Sequence, residues 1–216
     1  MKEEFTFLEV GGFGPAITAM RYPTQSTGDS YTDDNGKFIL GEKDANLAKR
    51  LLSKTETLNN VEVYQGDTHG KFARSIIAWF KVSLTRSVFS EFATYIVGVS
   101  PTSSTSTMYT LKKEIKNGDV RKFFHDKTPD SVIDNFLIEV EKLIKEYGDM
   151  KDVPIDVLKY CLPEGFIQTR NFAISYQTLR RIYLQRNSHR MPEWHTVCRS
   201  IEKLPYFEEL INIKED

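Results

Sequence analysis

Two cysteines in 216 residues, Cys161 and Cys198, exclude a disulfide-stapled scaffold. Without CxxC spacing they give no metal knuckle, and both read as reduced thiols. Charge of one sign is missing too: 29 Lys and Arg against 30 Asp and Glu leave a formal net charge of −1, too balanced for a broad duplex nucleic acid or anionic membrane footprint. No run of apolar residues reaches membrane-spanning length. The start, MKEEFTFLEV, carries acids where a secretory leader needs a basic start and an apolar core. A cytoplasmic protein, without membrane partner or metal, is therefore expected. What remains, 40% hydrophobic and 12% aromatic residues, supports a well-packed core.

The most informative stretch is Leu162 to Glu193, LPEGFIQTRNFAISYQTLRRIYLQRNSHRMPE. At about 100° per residue, Tyr176, Leu179, Ile182 and Tyr183 share an apolar helical face, and Arg186 falls among them. A guanidinium does not lose its proton in a protein, so Arg186 must meet an anion, reach water, or sit at the helix end where a cation suits the dipole. Both a ligand contact and a helix-end role stand for it. Arg180 and Arg181 lie off that face, with a solvated role for Arg181. His189, Arg190, Arg199 and Lys203 make this region basic within a nearly neutral chain, which points to a small anionic ligand such as a nucleotide phosphate.

In chain order, EFTFLEV (4–10) alternates as a strand does and is followed by glycines that read as a plain turn rather than a phosphate cradle. Residues 21–41 read as a loop, either a lid or mobile surface. Leu47, Ala48, Leu51 and Leu52 mark a helix within 43–58. Arg74 to Ser83 reads as a buried strand, and Thr85 caps the helix behind it. Seven of the ten residues 100–109 are Ser or Thr, a composition fitting either a linker or a hydroxyl-rich binding loop. Thr128-Pro129 starts, and Gly148 ends, a strongly amphipathic helix. A short helix over 156–161 carries Lys159.

The segments MRYPTQS, LGEKDANLAKRL, HGKFAR, SEFATY, STSTMY, LPEGFIQTRN and RMPEWHTVC together resemble the flavin-dependent thymidylate synthase family, in particular its divergent phage-type members. The resemblance spans about Met20 to Leu210. It implies an α/β (α+β) fold, a central mixed sheet flanked by helices in a single domain, assembled as a homotetramer. It also implies FAD, reduced by NADPH, carrying a methylene group from methylenetetrahydrofolate to dUMP without a cysteine nucleophile.

Residue by residue, Arg186 matches the family's late arginine, which holds and activates the base. Lys159 stands where the family has a phosphate-binding arginine. Ser106 and Tyr109 match the nucleotide loop Ser-Gly-Arg-Tyr, with Ser106 beside Arg186 as a catalytic candidate. The flavin motif Gln-x-x-Arg-His-Arg falls on residues 91–96 and loses its arginines, so the family's cofactor side is represented by Glu91, Thr94, Tyr95, Ser175 and Arg181. Arg74, Arg86 and the hydroxyls of 100–107 are candidate substitutes. Three functions follow: an active synthase or close relative, a non-catalytic pyrimidine-nucleotide-binding protein on the same fold, or an assembly protein whose basic helix is a solvated face.

Overall fold

The computed structural model describes residues 3–53, 55–58, 61–64, 69–95, 97–105 and 107–213. The architecture mixes helix and sheet. Four strands, β1 (Glu4–Gly11), β6 (Ile77–Thr85), β7 (Val99–Ser104) and β8 (Ile167–Ser175), form a sheet in the order β1-β6-β8-β7. Two short antiparallel pairs stand apart from it, β2 (Tyr31–Thr32) with β3 (Phe38–Ile39), and β4 (Thr55–Leu58) with β5 (Val61–Tyr64). The chain folds into two compact units. Unit one takes residues 1–5, 81–94 and 101–171; unit two takes 6–80, 95–100 and 172–216.

In unit one the helix Asp130–Tyr147 supplies the apolar stripe expected of it. Ile133, Phe136 and Val140 are buried with Leu111, Val120, Phe124, Leu158 and Phe166. Gly148 ends it at φ 89°, donating its N–H to the Ile144 carbonyl. Its start differs from expectation: the helix begins one residue later, at Asp130, and no side chain caps it. The Thr85 cap is as expected, its hydroxyl accepting from Val88 N at 3.3 Å, and it launches the helix Arg86–Phe92.

Unit two is organised around the helix Tyr176–Arg186. Tyr176, Leu179 and Ile182 are fully buried, and Tyr183 is nearly so, on the face that periodicity assigned. Ser175 caps it, accepting from Thr178 N. The preceding residues 167–175, to which no element was assigned from the sequence, are strand, governed by their β-branched and aromatic alternation.

Three further expectations change. The glycine turn after β1 opens a helix, Phe13–Arg21. Gly12 at φ 93° packs its α-carbon so close to the Ser75 carbonyl that an added Cβ would lie 2.2 Å from that oxygen, so only glycine fits. The helix expected within 43–58 spans Glu42–Ser53, and 55–58 is strand. Residues 21–41 are an ordered assembly. Asp33 accepts from the N–H of Asn35 and Lys37 and closes the β2–β3 turn at Gly36, φ 79°. Asp29 caps the helix Glu42–Ser53 through Lys43 N and Asp44 N, while Asp44 accepts from Asp29 N and Ser30 N in return. This reciprocal clamp has a sequence basis in Asp and Ser side chains, which compete for nearby backbone donors.

Candidate functional site

Charge and concavity coincide in unit one. A cavity of about 520 Å³ is lined by Arg86, Phe89, Ser90, Ala93, Lys159, Tyr160, Gln168 and Arg170. Three elements bring its cations together. Arg86 is the first residue of the helix that Thr85 caps. Lys159 sits in the last turn of the helix Ile155–Tyr160, which Leu162 and Pro163 terminate. Gln168 and Arg170 are two apart on β8, so the pleat sends both to one face.

The cations are held in different ways. Arg170 lies over the Phe89 ring at 4.3 Å and donates from Nη2 to Gln168 Oε1 at 2.9 Å. Burial pushes its pKa down, but an arginine remains protonated at neutral pH. Arg86 donates from Nη1 to the Lys159 carbonyl at 3.2 Å and stands 3.9 Å from the exposed Glu164 carboxylate. Among the described residues no carboxylate pairs with Lys159 or Arg170. Three cations against one carboxylate leave an excess of two, which matches the charge of about −2 on an ionised phosphate monoester. The exposed Tyr160 adds a surface for a flat ring.

Arg186 occupies a different environment, in unit two. Its guanidinium lies over the Trp194 ring at 4.7 Å and the Tyr95 ring at 5.7 Å, and its Nε donates to the Tyr95 hydroxyl at 2.9 Å. That hydroxyl donates onward to Gln185 Oε1 at 2.8 Å, and Arg181 lies over the same ring at 6.0 Å. Trp194 is fully buried and Tyr95 nearly so. The cation on the apolar face thus meets π-faces and a phenol, and as the last residue of the helix Tyr176–Arg186 it also takes the helix-end place anticipated for it. Arg180 is the buried arginine of this helix, donating to the carbonyls of Ile211 and Leu52.

The remaining expected residues divide plainly. Ser175 spends its hydroxyl on Thr178 as a helix cap. Thr94 donates to the Glu91 carbonyl, and Arg74 donates from Nε to Gln177 Oε1 at 2.6 Å. Glu91 and Thr94 belong to unit one, while Arg74, Tyr95, Ser175 and Arg181 belong to unit two. Ser106 and the Tyr109 side chain lie outside the described residues. Of the residues matched to the flavin motif, Thr94, Tyr95 and Ser175 have hydroxyls committed within the chain. Of the nucleotide candidates, Lys159 lines the cationic cavity. Arg170 was not singled out beforehand; the alternation in IQTRNFAIS is the signal that marks its strand.

The Cys198 thiol is not activated. Burial, followed by the nearby Glu202 carboxylate, pushes Cys198 up to about 12. Its thiolate is scarce at pH 8, so iodoacetamide on the native protein is expected to label the half-buried Cys161 and spare Cys198 until the chain is unfolded, as peptide mass spectrometry would show.

Among the described residues no helix is long and apolar enough to cross a membrane. No family model matches the sequence, and no curated protein does. The fold has solved counterparts. A crystal structure of Thymidylate Synthase X (ThyX) from Helicobacter pylori with FAD and dUMP superimposes with a TM-score of 0.65 at 19% identity, covering 97% of this chain and 96% of that one. A second structure, flavin dependent thymidylate synthase ThyX from the same organism complexed with FAD and dUMP, gives a TM-score of 0.65 at 19% identity, covering 96% and 97%. The likeness bears out the mixed helix-and-sheet expectation and a ThyX-like fold.

Proposed function

We propose that this chain binds a pyrimidine nucleoside monophosphate of the dUMP kind, with the phosphate held by Arg86, Lys159 and Arg170 in unit one. The observation that carries this reading is the excess of two positive charges in one concave site walled by Phe89 and Tyr160. The dUMP in the two structural counterparts supports the choice of nucleotide. Arg170 offers a planar fork for two phosphate oxygens, and Lys159 a mobile point charge. Arg186 holds Tyr95 and Trp194 in unit two.

The second reading is reductive methylation of dUMP to dTMP by a homotetramer, using FAD, NADPH and methylenetetrahydrofolate. It is favoured by the fold likeness to structures that contain FAD, and set back by the committed hydroxyls of Thr94, Tyr95 and Ser175. Calorimetric titration separates the possibilities. With dUMP, saturable binding at one per chain is expected, and deoxyuridine, which lacks the phosphate, is expected to bind at least about tenfold more weakly. Equal affinity for the two would sink the phosphate assignment. Flavin absorption bands retained after incubation with FAD and desalting would move the function to the second reading.

A further inference from the structure

A second cavity, in unit two, plays no part in that reading. It encloses about 490 Å³, within the roughly 300 to 1,000 Å³ of small-molecule sites, and is bounded by the helix Phe13–Arg21, the segment that follows it, Phe38 and Asp44. Its walls are of two kinds. Thr18, Ser26, Thr27 and Thr32 supply hydroxyl-bearing side chains, and Tyr22 and Tyr31 supply rings that are 70% and 59% exposed. Large aromatic rings left in water at the rim of a hydroxyl-lined hollow bury little in the folded chain, and they are well suited to covering the flat face of a ligand.

The charge of the site is already balanced. Arg21 donates from Nε to Asp44 Oδ1 at 2.6 Å, and Asp44 also accepts from the Ser30 hydroxyl at 2.7 Å and from two backbone N–H groups. Arg21 Nη1 reaches the Ser26 hydroxyl at 3.4 Å, whereas Nη2 is buried without a hydrogen-bond partner among the described residues. A buried N–H left unmade is costly, and this one requires an acceptor but no further negative charge. A phosphate or carboxylate would bring uncompensated charge beside the buried Asp44. A neutral oxygen satisfies Nη2 without that cost. Hydroxyl side chains both donate and accept, so they pair best with ligand groups that do the same.

We propose that this cavity binds an uncharged sugar ring, carried either by a free saccharide or by a nucleoside, with a ligand oxygen accepting from Arg21 Nη2 and the ring face covered by Tyr22 or Tyr31. The hydroxyls of Thr18, Ser26, Thr27 and Thr32 complete its polar contacts. The site requires nothing of the nucleotide pocket in unit one, so each reading stands or falls alone.

Saturation-transfer NMR on the full chain, with ribose, maltose and uridine as separate probes, tests it. Saturable binding of maltose identifies a saccharide site, and binding of uridine without maltose a nucleoside site; either supports the proposal. Tyr22→Ala, at an exposed position, is expected to weaken that binding at least about fivefold without shifting the melting temperature. Arg21→Lys keeps a cation for Asp44 but loses the guanidinium fork, and it is expected to weaken binding likewise. Two results would overturn the proposal: no saturable binding of any sugar probe, or sugar binding indifferent to both substitutions.

Discussion

Asp44→Ala is expected to lower the stability of the chain by about 3 to 5 kcal/mol, the cost of leaving a buried partner charge unpaired. The carboxylate is 1% exposed and serves four donors at once: Arg21 Nε, the Ser30 hydroxyl, and the N–H groups of Asp29 and Ser30. Removing it strands a guanidinium and two backbone N–H groups, and loosens the loop whose Asp29 caps the helix Glu42–Ser53. The packing is tight as well, since a Cβ added at Gly28 would lie 2.5 Å from Asp44 Oδ2. With native stabilities of roughly 5 to 15 kcal/mol, the variant would retain only part of its folded margin, and chemical denaturation would show it.

The same carboxylate gives a pH signature. Burial raises its pKa, but the hydrogen bonds from Ser30 and Arg21, and from the backbone of Ser30 and Asp29, outweigh burial and leave it lowered. A lowered folded-state value contributes stability above the unfolded value of about 4, and that contribution is lost as pH falls through the folded value. The unsubstituted chain should therefore lose stability on acidification below about pH 4, and Asp44→Asn should lose less over the same window.

Arg170→Met is expected to weaken dUMP binding by about ten- to a hundredfold while leaving the melting temperature within a few degrees of the unsubstituted chain. A charge-assisted hydrogen bond is worth roughly 1.5 to 3 kcal/mol, which sets the size of the loss. Methionine keeps an apolar stem over the Phe89 ring, and removing a half-buried cation that has no carboxylate partner among the described residues does not harm folding. Arg186→Ala should do the reverse. It takes a partner from the Tyr95 hydroxyl and from the Trp194 face, so it should lower stability with a smaller effect on dUMP affinity.

Particular residues show which parts of this were legible beforehand. The buried face of Tyr176, Leu179, Ile182 and Tyr183, the Thr85 cap and the Gly148 terminus follow from local rules of periodicity and backbone geometry, and they stand as read. Residues 167–175 went unassigned because their strand directly abuts a helix at Ser175, with no turn residues to separate the two. The order within 21–41 was hidden because its bonds run from Asp29 and Asp33 to backbone groups, which apolar patterning does not register. Arg186 was singled out correctly as an anomaly, but its aromatic partners come from positions 95 and 194, and no local pattern joins them. Lys159 was legible as a ligand candidate on its short helix before the resemblance gave it a role, and Arg170 needed the fold.

The most direct test of the central claim is a crystal structure of the chain soaked with dUMP. The account predicts a phosphate within hydrogen-bond distance of Arg86, Lys159 and Arg170, with the base toward Tyr160. A well-ordered nucleotide whose phosphate lies away from those three cations would contradict it.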